Sequence, residues 1–222
     1  NNFPDYPHDL GDRVRYLHCM PDGRMLVATV GGLIIFEPSD TPELTVFTNV
    51  VKIPGDMNSL GNNDVIHIFT DRQGDTWLST FGGGLNRIYF EDGRPRFEIL
   101  STVEGLANNI VHSAADDGNG DIWIATESGI SRYDKSTGEI TNFSRYDGVR
   151  STFYSEATCT SLNDGSVVFG TYDNIYRFCP EDFTEHFSDP CLVVSGLTVD
   201  DLRTPFQDKI VIPHDYSMFR ID

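Results

Sequence analysis

The chain has 222 residues, and 34 Asp and Glu against 16 Lys and Arg give it a formal charge of −18. Nucleic acid and anionic membrane surfaces are held by clustered Lys and Arg, so this balance argues against both as partners. Twenty Gly and 11 Pro, with 15 Phe, 9 Tyr and 2 Trp, favour short strands and tight turns around aromatic side chains over long helices.

The first residues, Asn2-Phe3-Pro4-Asp5-Tyr6, resemble Asn142-Phe143-Ser144-Arg145-Tyr146 later in the chain and so read as the outer strand of an earlier unit. A repeat then begins. Leu26-Val27-Ala28-Thr29, Trp77-Leu78-Ser79-Thr80, Trp123-Ile124-Ala125-Thr126 and Val168-Phe169-Gly170-Thr171 each follow a glycine at the same distance. These glycines, Gly23, Gly74, Gly120 and Gly165, are 51, 46 and 45 residues apart. Val14, Val65 and Val111 stand before the first three glycines. Leu33, Leu85, Ile130 and Ile175 follow the Thr-centred turns, and Arg87, Arg132 and Arg177 come two residues after the last three of these.

In the second repeat the pattern predicts strands over Val65–Thr70, Thr76–Thr80, Leu85–Tyr89 and Arg96–Ser101, parted by Asp71-Arg72-Gln73-Gly74 and by Phe81-Gly82-Gly83-Gly84. Turn residues between β-branched and aromatic runs are hairpin chemistry, and four strands in 40–50 residues is the period of a β-propeller blade. Blades stack face to face, so Trp77 and Trp123 are expected to be buried between them. The repeats lie near 10–50, 60–105, 106–151 and 153–183, the last with three strands and no evident fourth. Four blades is near the lower limit for such rings, so residues 1–185 read as part of a larger propeller. Past Pro180 the period is lost. Leu192–Val199 and Lys209–Ile212 read as strands, which makes 186–222 the opening of an immunoglobulin-like β-sandwich. The fold class expected is all-β.

With these residues in view, the chain resembles the two-component regulator propeller repeat. The likeness runs through Leu60, Val65, Asp71-Arg72-Gln73-Gly74, Trp77-Leu78-Ser79-Thr80 and Gly83-Gly84-Leu85-Asn86-Arg87. It recurs in Leu106, Val111 and Asp117-Gly118-Asn119-Gly120-Asp121-Ile122-Trp123-Ile124-Ala125-Thr126. Asp164-Gly165-Ser166-Val167-Val168-Phe169-Gly170 with Phe178-Cys179-Pro180 is similar to the closing blade of that family, and the stretch from Asp189-Pro190 is similar to the start of its Y_Y_Y β-sandwich. The first repeat departs, with Leu26 where Trp stands and Ile35 where Arg stands. The resemblance implies the periplasmic sensor region of a hybrid histidine kinase that detects polysaccharide fragments.

Other features have plainer readings. Gly82-Gly83-Gly84 opens a strand and lacks the Gly-Lys-Ser/Thr of a phosphate loop. His18, His67 and His112 fall at different offsets from their glycines, so no metal is expected of them, and no cofactor is expected. Asp71 and Asp117 lie three residues before glycine, outside the spacing of a sialidase Asp-box. No acid/base pair stands out for a glycosidase or a propeller lyase, so catalytic residues are set at none. The arginine series reads as structural, each Arg pairing with an acidic neighbour. Of four cysteines, only Cys179 and Cys191 are candidates to pair; otherwise free, mostly buried thiols are expected. The longest apolar run, Leu33 to Phe36, is too short to span a bilayer, and no signal peptide is read.

Loops leading into the first strand and loops joining strands two and three emerge on one face of a propeller. That face would carry Asn63, Asn109, Phe81, Glu127, Tyr172 and Asp173, whose amides, carboxylates and rings suit an oligosaccharide or other small molecule and equally suit solvated turns. Uncovered sheet faces and an open strand edge would favour self-association. An enzyme acting on a glycan and a purely structural interaction propeller are the competing readings.

Overall fold

A computed structural model describes residues 3, 5–11, 13–149, 153–183, 197–200, 202–204 and 218–221. The chain divides into two compact units, 1–183 and 184–222. The first contains four antiparallel sheets in strict sequence order, each a meander, which is the architecture of propeller blades.

Blade 1 consists of β1 (Val14–Cys19), β2 (Met25–Thr29), β3 (Leu33–Phe36) and β4 (Phe47–Val50). Blade 2 has β5 (Val65–Thr70), β6 (Thr76–Thr80), β7 (Leu85–Glu91) and β8 (Arg94–Leu100), within a residue or two of the expected strands. Blade 3 comprises β9 (Val111–Asp116), β10 (Asp121–Thr126), β11 (Gly129–Asp134) and β12 (Ile140–Phe143). Among the described residues blade 4 has three strands, β13 (Tyr154–Ser161), β14 (Val167–Thr171) and β15 (Ile175–Phe178), as its sequence predicts.

Two repeated turns set the period. In the turn joining strands one and two, the Asp71 carboxylate accepts from the N–H groups of Gln73 and Asp75 and, 2.9 Å away, from the indole of Trp77. Asp117 does the same for Asn119, Asp121 and Trp123. In the turn joining strands two and three, the repeated Thr donates its hydroxyl across the turn to a carbonyl: Thr29 to Gly32, Thr80 to Gly84, Thr126 to Gly129 and Thr171 to Asn174. Gly84 in one of these turns has φ +72°, and a Cβ there would lie 2.0 Å from the carbonyl oxygen of Leu100, so only glycine fits.

Trp77 and Trp123 are buried as expected, the latter completely, packed against Phe143, Phe178 and Phe183. The arginine series is structural and acts within each blade: Arg87 pairs with Asp75 and Glu98, Arg132 with Asp121, and Arg177 with Asp164. Strands β6 and β10 are buried on both faces, whereas β14 alternates between buried and half-buried residues and β1 is exposed at Val14 and Leu17. The second strand of blade 1, β2, is buried much as β6 and β10 are, so among the second strands only β14 of blade 4 is half-covered.

Three expectations need correction. Among the described residues no strand precedes Val14. His8–Gly11 forms a single helical turn, and Phe3 and Tyr6 pack on Phe47, Phe3 also on Phe36, so this segment covers blade 1. The thiols are less buried than expected, with Cys19 exposed and Cys159 and Cys179 half-buried; all three are free. Cys179 therefore forms no disulfide, and Cys191 lies outside the described residues.

The second unit contains one antiparallel sheet of β16 (Leu197–Val199), β17 (Leu202–Thr204) and β18 (Phe219–Ile221), in the order β17-β16-β18. Residues 192–196 and the strand expected at 209–212 lie outside the described residues. No helix among the described residues is long and apolar enough to cross a membrane.

Candidate functional site

The face that carries the loops between strands two and three is built by one hydrogen bond repeated four times. The residue after each turn Thr donates its N–H to the carbonyl of a residue just before the first strand of the same blade. The pairs are Val30 to Arg13, Phe81 to Asp64, Glu127 to Ile110 and Tyr172 to Phe153. Val30, Phe81, Glu127 and Tyr172 therefore occupy equivalent positions on four blades, and three of them are expected site residues. Phe81 is 46% exposed and Tyr172 77% exposed.

The two expected asparagines bind the links between blades. Asn63 Oδ1 accepts the N–H of Lys52 at 2.7 Å, and Asn109 Oδ1 accepts that of Thr102 at 2.7 Å, each fixing the chain where it leaves the preceding blade. The Asn109 carbonyl also accepts from Gly82 and Gly84, and Phe81 bridges to Ile110. Phe81, Asn109 and Glu127 are thus gathered where blades 2 and 3 meet. Asn63 sits at the junction of blades 1 and 2. Tyr172 and Asp173 lie on blade 4, where Asp173 accepts from the Thr171 hydroxyl.

Beneath these loops the first strands converge. Glu127 lies 2.7 Å from His112 Nε2, and the His112 ring is 6% exposed with no partner for Nδ1. Arg15 of β1 forms a paired contact with Asp64 ahead of β5 and also meets Glu156 of β13, so one guanidinium joins blades 1, 2 and 4. Cys159 Sγ of β13 lies 3.9 Å from His67 Nε2 of β5 and donates to the Ala114 carbonyl of β9. Burial pushes the Cys159 thiol up to about 12 and, with the nearby His18 charge, draws His67 down to about 4. Cys159 is accordingly a poor nucleophile at neutral pH. Sequence reasoning did not find the Arg15 centre, because Arg15 is not repeated in the other blades and Glu156 is 141 residues away.

On the opposite face the seam between blades 2 and 3 is clasped. Lys135 Nζ reaches Asp71 at 2.6 Å and Asp75 at 2.7 Å, with the Trp77 ring beside it. Two cavities lie elsewhere, between the outer strands of blades 1 and 2, at about 550 and 760 Å³. Among the described residues no group of three or more His, Cys, Asp or Glu is arranged to hold a metal ion.

Residues 59–82 and 105–128 match the family described as two component regulator propeller. These segments hold the Asp-capped turns, both tryptophans and the turn threonines of blades 2 and 3. The chain is 21% identical over 207 residues to histidine kinase P4 of Formosa agariphila, covering 93% of this chain and 15% of that protein. Among solved structures, the extracellular domain of a putative one component system from B. thetaiotaomicron superposes with a TM-score of 0.62 at 20% identity, covering 87% of this chain and 28% of that one. A catalytically inactive virginiamycin B lyase from Staphylococcus aureus superposes with a TM-score of 0.51 at 17% identity, over 80% of this chain and 57% of the lyase. The chain thus spans well under a third of the kinase and of the extracellular domain it resembles.

Proposed function

We propose that this chain is a non-catalytic, extracytoplasmic sensor module of a hybrid two-component system, which binds an oligosaccharide on the loop face and relays that state to a histidine kinase. The observation that carries the reading is the fourfold N–H to carbonyl frame, which holds Phe81 and Tyr172 out to solvent beside Glu127 on one face. Rigidly mounted aromatic planes flanked by amides and carboxylates suit pyranose faces and hydroxyls. The matches to the regulator propeller and to a histidine kinase support the sensor role, and the likeness to an extracellular domain supports a periplasmic location.

Four acidic side chains near these loops and turns are already engaged. Asp71 and Asp117 hold indoles and turns, while Asp64 and Glu156 hold Arg15. One observation favours the enzymatic alternative: the close His112–Glu127 pair on the loop face of a fold shared with a lyase. Calorimetric titration of the protein with a panel of oligosaccharides, with product analysis of the same mixtures, separates the readings. Saturable binding weakened about tenfold or more by Tyr172→Ala or Phe81→Ala, with the sugar recovered intact, is expected. Turnover abolished by His112→Ala would establish the alternative, and no binding by any glycan would leave an interaction propeller.

A further inference from the structure

The first repeat departs from the others where blades meet, and the departures fall together in space. At the seam of blades 2 and 3 the polar set is Asp71, Asp75, Trp77 and Arg87 from one blade and Lys135 from the next. Counting from the repeat glycines and from Leu33, Leu85 and Ile130 after the turns, the corresponding residues at the seam of blades 1 and 2 are Met20, Arg24, Leu26, Ile35 and Phe90. Four apolar residues and one arginine stand in place of the ion-pair clasp. Arg24, where an acid stands in blade 2, lies 3.4 Å over the ring of Phe90, where the lysine stands in blade 3. Leucine fills less space than tryptophan, and isoleucine bridges no charges.

The space at the two seams differs accordingly. The cavity beside Asp71 and Lys135 is about 80 Å³, whereas that beside Arg24 and Phe90 is about 550 Å³. Its walls include Ile35, Phe36, Pro38 and Phe90, with Leu44 and Val46 at the rim, 73% and 78% exposed. A volume of 300–1,000 Å³ is the size of a small-molecule site, and this one sets its apolar walls beside the polar groups of Arg24, Glu37, Ser39 and Thr48. The loop face carries no part of it, so its occupant is distinct from the saccharide above.

Charge narrows the occupant. The cavity carries one group of each sign, Arg24 and Glu37, and Arg24 is already bonded by Asp22 through its backbone and side chain. No uncommitted cation awaits an anion, and the chain's net charge of −18 disfavours one further. Aromatic walls with a guanidinium stacked on one of them fit a flat, uncharged π-system. We propose that the seam of blades 1 and 2 is a second binding site, taking a small neutral aromatic ligand against Ile35, Phe36 and Phe90.

The test uses the ¹⁵N-labelled 222-residue protein, titrated with indole and followed by amide chemical shifts. Saturable shifts confined to residues 35–39, 44–48 and 90–95 are expected. Arg24→Asp with Ile35→Arg and Phe90→Lys, which brings in three of the five clasp residues, should weaken binding at least tenfold. Leu44→Ser with Val46→Ser, at exposed positions that leave the core intact, is measured beside it as a control for folding and should weaken binding several-fold. Shifts that scatter or do not saturate overturn the site, as does unchanged affinity in the Ser variant. Displacement of indole by maltotriose would make the seam a saccharide site and overturn the aromatic assignment.

Discussion

Replacing Lys135 by Met keeps the aliphatic stem and removes the charge that clasps blade 3 to blade 2. The Asp71 side chain is only 2% exposed, so its carboxylate stays buried and loses its only cation, while the N–H groups of Gln73, Asp75 and Trp77 remain on it. Removing one partner of a buried ion pair costs about 3–5 kcal/mol. The three retained donors and the part-exposed Asp75, which keeps Arg87, place the expected loss at about 2–3 kcal/mol. For a chain of this length that is a fall in Tm of roughly 5–10 °C. Urea unfolding of wild type, Lys135→Met, Asp71→Asn and the double variant isolates the pair, and a coupling of about 1.5–3 kcal/mol is expected. Burial raises the Asp75 carboxyl, but the bonds from Lys135 and Arg87 outweigh it and hold the group below its usual range. Its contribution is therefore complete above about pH 4 and is lost as the pH falls through the depressed folded value. Acid should destabilise wild type more than Lys135→Met in that window. A coupling under about 0.5 kcal/mol, or identical acid profiles, would refute the clasp.

Burial and the His18 charge draw His67 from 6.5 to about 4, so its neutral form favours the folded state by roughly 3 kcal/mol. That contribution is present above pH 6.5 and disappears as the pH falls toward 4; His67→Gln should flatten this part of the stability profile, and an NMR titration giving His67 an ordinary midpoint would contradict it. With its thiol raised to about 12, Cys159 should resist iodoacetamide at pH 8 until the protein unfolds, while exposed Cys19 reacts in the native state; equal rates would show the centre to be open. The exposed side chains of β1 and the half-covered β14 are proposed to mediate self-association. Sedimentation equilibrium should show a concentration-dependent dimer weakened by Leu17→Glu, and a clean monomer at all concentrations would end the idea.

The candidate site was only partly legible. Phe81, Glu127 and Tyr172 could be placed on one face because each follows a turn Thr whose hydroxyl closes that turn locally. Asn63 and Asn109 were selected for amides that could meet a sugar, and their oxygens are spent on the backbone of Lys52 and Thr102. A short polar side chain beside a turn satisfies the chain before it satisfies a ligand, and residue type alone does not reveal which.

What the sequence determined by itself was the blade: its strands, its Asp-capped and Thr-closed turns, its buried tryptophans and the Arg partnered across strands. All of these depend on residues a few to a dozen positions apart, joined by hairpins whose register the turn fixes. Tertiary structure alone decided what happens between blades. Lys135 meets Asp71 across 64 residues, Cys159 meets His67 across 92 and Arg15 meets Glu156 across 141, and Arg24, Ile35 and Phe90 come together to line one cavity. Such contacts depend on how blades rotate about a common axis, and a repeat pattern fixes the order of the blades without fixing which side chains that rotation brings together.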